Sequence, residues 1–263
     1  MKGRLIIAAH FGHRIRWLIV LYILLGIPVS AGPKPDGTVP VNGCMSPDQL
    51  TAMIDEIPDE PDPGMPARYL VKRIEWTITA PGEATVEEEV VLEILSERAK
   101  HDYGDVRIPF DADHETMTVM CAETRMADGE IIPLMEGADN ELVPPDIADC
   151  GLPVNRRLRV LSFSGAETGS VIHYGLIRHI RLPEPDDAIA RVILLDSILP
   201  TINQRIVIRY RDTIPVRWEE FRACPNATIQ HANGWIESIW ERHDVPAILR
   251  EWGMPSVYSL GAG

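Results

Sequence analysis

A chain of 263 residues, 45% hydrophobic and 24% charged, has the apolar content of a folded globular protein and the length for one large domain with short appendages. Its 39 acidic residues against 25 Lys and Arg give a formal net charge of −14 at pH 7. Such a surface repels phosphate backbones and anionic lipid headgroups, which removes nucleic acid from the expected partners.

Residues 1–31 read as a targeting segment. Lys2, Arg4, Arg14 and Arg16 form a basic start without acidic residues, Trp17 to Ile27 is a short apolar run, Pro28 breaks it, and Val29-Ser30-Ala31 presents small residues for cleavage after Ala31. The alternative is an uncleaved anchor, although the run is shorter than the roughly 20 residues of a comfortable membrane span. Cys44 is a poor lipidation site, because Asn42 does not suit a lipobox and the cysteine lies far beyond the apolar run. Loss of the four basic residues moves the net charge from −14 to −18. The expected location is therefore outside the cytoplasm, periplasmic or associated with the cell envelope, with membrane contact only through an uncleaved leader.

Residues 32–66 hold one short helix and a spacer. Ser46-Pro47-Asp48-Gln49 is a capping box with proline at the first helical position, and Leu50, Met53, Ile54 and Ile57 recur at helical spacing. Pro58 to Pro66 is acidic and rich in proline, the composition of a stiff extended linker.

From Ala67 to Val257 the dominant period is two. Tyr69 to Ala80 and Thr85 to Ser96 form a hairpin about Pro81-Gly82, and Met117 to Met126 and Ile131 to Met135 form another about Asp128-Gly129. Arg157 to Ser164, Ser170 to Arg181, Arg191 to Ser197 and Gln204 to Arg211 continue the alternation. Ala227 to Ala232 and Trp235 to Arg242 close on Asn233-Gly234, the strongest hairpin signal in the chain. About ten strands with short turns predict an all-β fold, an antiparallel two-sheet sandwich over 67–257 followed by a tail over 258–263.

The chemistry-bearing residues form no recognisable constellation. Cys44, Cys121, Cys150 and Cys224 lack CxxC spacing; in an oxidising compartment they permit two disulfides in three connectivities, with buried free thiols as the alternative. His173 and His179 share one face of a predicted strand but lie roughly 20 Å apart, too far for one metal ion. His101, His114, His231 and His243 are scattered without ligand spacing. Glu87, Glu88 and Glu89 fit a solvated or edge-protecting strand face. Asp111, Asp113, His114 and Glu115 form an acidic loop without the glycine-centred array of a calcium loop. Trp218, Trp235 and Trp240 suit core packing, with stacking on sugars, and so a carbohydrate-binding module, as the alternative. Asn226-Ala227-Thr228 is a formal glycosylation acceptor.

Six segments in a fixed order carry a family resemblance: Glu88 to Leu95 (EEVVLEIL), His101 to Phe110 (HDYGDVRIPF), Val119 to Pro133 (VMCAETRMADGEIIP), Gly169 to Tyr174 (GSVIHY), Arg191 to Tyr210 (RVILLDSILPTINQRIVIRY) and Glu251 to Pro255 (EWGMP). Together they resemble the domain of unknown function that precedes transglutaminase-like domains in exported bacterial proteins. The resemblance implies a β-sandwich and places the cysteine-histidine-aspartate chemistry in a following domain. Only eight residues follow Met254-Pro255, so the expectation is a non-catalytic accessory or interaction module without catalytic, cofactor-binding or metal residues. Its partner would be another protein, a transglutaminase-like enzyme being one such partner. The alternative is the front portion of a split or truncated transglutaminase-like cysteine enzyme.

Overall fold

The computed structural model describes residues 18–23, 44–57, 64–144, 155–183, 189–221 and 226–248. In chain order the elements are β1 (Leu18–Ile23), α1 (Pro47–Asp55), β2 (Ala67–Ala80), β3 (Glu83–Ile94), α2 (Glu97–Tyr103), β4 (Asp105–Asp111), β5 (Glu115–Arg125), β6 (Ile131–Pro133) and β7 (Asp139–Leu142). They continue as β8 (Arg156–Ser162), β9 (Val171–Arg181), β10 (Ala190–Leu194), β11 (Thr201–Arg211), β12 (Val216–Phe221), β13 (Thr228–Ala232) and β14 (Trp235–Val245).

An eight-stranded sheet in the order β13-β14-β11-β2-β3-β9-β5-β6 forms the body of the molecule. Period-two alternation gives each central strand two distinct faces. Even-numbered residues of β3, among them Val86, Val90 and Leu92, point into two adjacent hydrophobic cores. One core joins Trp76, Ile206, Ile208 and Trp240 to Ile193 of β10, with Val216 and Trp218 of β12 packed against it. The other joins Leu92, Ile172, Tyr174 and Leu176 to Ile108 of β4, Leu161 of β8 and Ala99 of α2. The large sheet is thus faced by two three-stranded sheets, β10-β1-β12 and β4-β8-β7, which completes the expected sandwich.

Odd-numbered β3 residues point to the opposite face, where α1 lies. Leu50 of α1 packs with Leu70, Val91 and Val171, and Met53 and Ile54 extend the contact. Ser46 caps α1 as its sequence implies: its hydroxyl accepts from Gln49 N–H at 3.3 Å and its own N–H donates to Gln49 Oε1 at 2.9 Å. Both tight hairpins form as well. Gly129 at φ +91°, and Asn233 and Gly234 at φ +53° and +74°, supply the left-handed geometry their turns require.

Three features differ from the sequence expectation. The pair β11–β2 is parallel, with Ile206 opposite Ile74, inside an otherwise antiparallel sheet. Within the expected leader, Leu18–Ile23 is a strand whose backbone pairs with both β10 and β12. Glu87 and Glu89 are buried instead of solvated, because β3 is a central strand held between β2 and β9 and has no open edge. The spacer 58–63 and the closing Glu251 to Pro255 motif lie outside the described residues.

The three late tryptophans take up packing roles. Trp240 is 1% exposed and meets Trp218 edge-on, ring centroids 5.9 Å apart, while Trp218 meets Tyr210 in the same manner at 6.3 Å. Trp235, on the other face, is stacked beneath the guanidinium groups of Arg209 and Arg211 at 4.6 and 4.1 Å. Trp240→Ala should therefore destabilise the fold by about 3–5 kcal/mol in chemical denaturation, far more than Trp235→Ala, because only the former opens a cavity in the main core.

Candidate functional site: a disulfide beside a buried histidine and glutamate

Strand register brings four side chains of distant sequence together on the α1 face. Glu89 of β3 lies opposite Gly175 of β9, which lies opposite Cys121 of β5; two residues along β9, His173 lies opposite Val91 and Glu123. A register irregularity in β5 between Val119 and Cys121 brings Cys121 onto this face. Cys44, just before α1, is disulfide-bonded to Cys121, with Cα atoms 6.4 Å apart. Of the three connectivities left open by sequence, those pairing Cys44 with Cys150 or Cys224 are thereby excluded; Cys150 and Cys224 lie outside the described residues.

Gly175 makes room for this bond. A Cβ built there would stand 2.3 Å from Cys44 Sγ and 3.0 Å from Cys121 Sγ, so any larger residue collides with the disulfide. Beside it His173 and Glu89 are each 2% exposed, and His173 Nε2 donates to Glu89 Oε1 at 3.0 Å. Cys121 Sγ lies 3.7 Å from the same nitrogen. The second ring nitrogen, Nδ1, has no hydrogen-bond partner; Glu123 Oε1 is 3.8 Å away.

Glu89 is compensated mainly through Oε1. Its Oε1 also accepts the Met45 backbone N–H at 2.7 Å, and Arg73 Nη2 lies 3.1 Å from Oε2, an ion pair misaligned for a hydrogen bond. Burial opposes its ionisation, but the hydrogen bonds from His173 and Met45 and the Arg73 charge outweigh that opposition and hold the carboxyl below the ordinary glutamate range. Two residues away, Glu87 is pushed the other way by burial and the neighbouring Glu75 charge. Arg125 Nε binds Glu123 Oε1 at 2.9 Å while its Nη1 donates to Thr51 Oγ1 of α1 at 2.9 Å. The segment 44–57 is thus tied to the sheet by a covalent bond, by a backbone hydrogen bond to a buried carboxylate, and by an arginine bridge.

Cys44, Cys121 and His173 offer ligand-type atoms all within 4.8 Å of one another, and they are the one such group of three among the described residues. The two sulfurs are bonded to each other, which leaves no thiolate in this oxidation state. Spacing along the chain sets His173 only against His179 on its own strand and does not disclose its cross-strand neighbours. His179 instead contacts Thr85 Oγ1 at 3.1 Å, His243 contacts Asn203 Oδ1 at 2.8 Å, His101 lines a pocket with Lys100 and Glu167, and His231 sits on the exposed strand β13. The acidic loop closes on itself: Asp111 binds His114 Nδ1 at 2.9 Å and Asp113 N–H at 3.1 Å, Asn155 donates to Asp113, and Glu115 is held between Arg178 and Arg191.

Gly175→Ala should destabilise the protein by about 1–3 kcal/mol through overpacking against the disulfide. In a Cys44→Ala, Cys121→Ala background the same substitution should cost much less, and a double-mutant cycle by urea denaturation measures that difference. An equal cost in both backgrounds would place the strain elsewhere.

A structure described as a putative protease from Parabacteroides distasonis aligns with this chain at a TM-score of 0.59 and 21% identity over 72% of its residues, and the likeness is one of fold. The aligned part of this chain spans 38% of the length of that protein. An M1 zinc metallopeptidase from Deinococcus radiodurans aligns at a TM-score of 0.36 and 11% identity, over 68% of this chain and 40% of that one. No curated protein matches the chain. Residues 80–249 match the family described as a domain of unknown function with a solved structure, DUF3857, and the chain belongs to that family.

Proposed function

We propose that this chain is a non-catalytic, exported β-sandwich module that acts as an accessory or interaction domain for a protein partner, with a transglutaminase-like enzyme as the partner class that the sequence resemblance implies. The observation that carries the reading is the state of the most chemically equipped site among the described residues. Its cysteines are joined to each other, and its histidine donates to a buried carboxylate, so the cluster serves to fasten 44–57 to the sheet. A thiol nucleophile needs a thiolate, and the Cys44–Cys121 disulfide leaves none beside His173. A disulfide beside a well-formed core also suits an oxidising compartment, in agreement with the basic and apolar start of the chain.

The second reading, the leading portion of a larger cysteine enzyme, is favoured by one finding. The Parabacteroides protein shares this fold over only part of a much longer chain.

Intact mass of the endogenous protein from the cell-envelope fraction, reduced and non-reduced, tests both readings, together with amine-incorporation and casein-hydrolysis assays of the purified chain. The expected result is a chain starting at Gly32, and so without β1 between β10 and β12, with Cys44 paired to Cys121 and without either activity. A full-length cytoplasmic chain, or an activity abolished by Cys121→Ser, would overturn the proposal. A much larger chain carrying a cysteine-histidine-aspartate domain would establish the second reading.

A further inference from the structure

We propose that Cys44, Cys121 and His173, with Glu89 as the fourth ligand, form a metal site for zinc(II) or a similar soft-tolerant divalent ion when the Cys44–Cys121 disulfide is reduced. The proposal rests on the spacing of donor atoms already on the α1 face and does not depend on the role proposed above.

Tetrahedral zinc with bonds of about 2.3 Å to sulfur and about 2.0–2.2 Å to nitrogen or oxygen sets neighbouring donor atoms roughly 3.3–3.8 Å apart. Cys121 Sγ stands 3.7 Å from His173 Nε2, inside that range, while Glu89 Oε1, hydrogen-bonded to the same nitrogen at 3.0 Å, has to draw back from it to make room for the ion. The three Cys and His donor atoms fall within 4.8 Å of one another. Two adjustments are needed: the S–S bond opens and the sulfurs part to roughly 3.8 Å, and the Glu89 carboxylate, which is not among those three donors, shifts from its hydrogen bond on Nε2 to a position on the ion. Cα atoms 6.4 Å apart allow the sulfurs to part without moving β5 or the segment before α1, and neither cysteine is fully buried, so a small reductant has access.

The second shell fits the same assignment. In the oxidised chain the His173 Nε2 proton is given to Glu89 and Nδ1 lacks a partner. A metal on Nε2 requires the ring proton on Nδ1, where it faces Glu123 Oε1, 3.8 Å away and itself held by Arg125. That is the carboxylate–histidine–metal arrangement which fixes ring orientation in zinc proteins. Arg73 beside Glu89 offsets the single net negative charge of zinc(II) held by two thiolates and a carboxylate. Gly175 leaves the space in which the two sulfurs sit.

The chemistry balances as two steps. A dithiol gives two electrons and two protons to the disulfide, becomes a disulfide itself, and leaves Cys44 and Cys121 as thiols. The metal ion then displaces one proton from each thiol, while the imidazole proton moves from Nε2 to Nδ1 and stays on the ring.

The test uses the full chain carrying Cys150→Ser and Cys224→Ser, so that Cys44 and Cys121 are the only thiols, reduced with a phosphine and titrated with cobalt(II). The expected result is one cobalt per chain with the near-ultraviolet thiolate charge-transfer band and the intense visible bands of tetrahedral coordination, displaced by zinc. The oxidised form of the same chain, with native circular dichroism, should bind none. His173→Gln should weaken binding at least tenfold, and Glu89→Gln should weaken it less while shifting the visible bands. Absence of the charge-transfer band in the reduced chain, equal binding by the oxidised chain, or unchanged affinity in His173→Gln with native circular dichroism would each overturn the proposal.

Discussion

A carboxylate buried in a sheet interior must be compensated, and the α1 face of this domain is organised around that requirement at Glu89. Removing an ionised carboxylate from water costs several kcal/mol unless hydrogen bonds and an opposite charge replace the lost solvation. Here three groups supply that replacement: the imidazole of His173, the guanidinium of Arg73 and the backbone N–H of Met45. The last of these is not part of the sheet. Its position is set by the Cys44–Cys121 bond one residue earlier and by the seating of Leu50 against Leu70, Val91 and Val171 one helical turn later. Sheet and N-terminal segment therefore complete each other, since the segment provides the donor and the lid that the carboxylate needs.

The opposite face follows a simpler rule. Val86, Val90 and Leu92 of β3 and Ile172, Tyr174, Leu176 and Ile180 of β9 pack as hydrophobic layers, so the large sheet is stabilised mainly by apolar burial on one side and by a covalent and electrostatic joint on the other. A polar joint is a costly way to hold a fold together compared with an apolar one of the same volume.

Features set by local chemistry are legible in the amino-acid sequence itself. The Ser46 capping box, the Asp128-Gly129 and Asn233-Gly234 turns and the strands on either side of them form where neighbouring residues place them, because turn geometry and period-two burial are encoded within a few residues. The core role of Trp240 is legible for the same reason. What stays hidden depends on which strands become neighbours. Glu87-Glu88-Glu89 has the pattern of a solvated strand, and only the docking of β9, whose His173 lies 84 residues beyond Glu89, turns Glu87 and Glu89 into buried groups. His173 looks solitary in the sequence for a related reason, since its partners come from β3, from β5 through a register irregularity, and from the segment before α1. The short strands β4, β7 and β12 and the helix α2 carry too few alternations to stand out, and the parallel β11–β2 pair leaves no local signal at all. A glycine at position 175 in the middle of a strand rich in Val and Ile is the one available hint that something approaches closely there.

Glu89, His173 and the disulfide jointly fasten residues 44–57 to an otherwise self-sufficient sheet. Amide hydrogen exchange, followed residue by residue in the wild type, in Glu89→Gln and in a Cys44→Ser, Cys121→Ser chain, tests that linkage most directly. Both variants should lose protection over Met45 to Ile57, the double cysteine variant more completely, while the amides of β2, β3 and β9 exchange as slowly as before. Unchanged protection of α1 in both variants, or a loss spread evenly over the sheet, would contradict it.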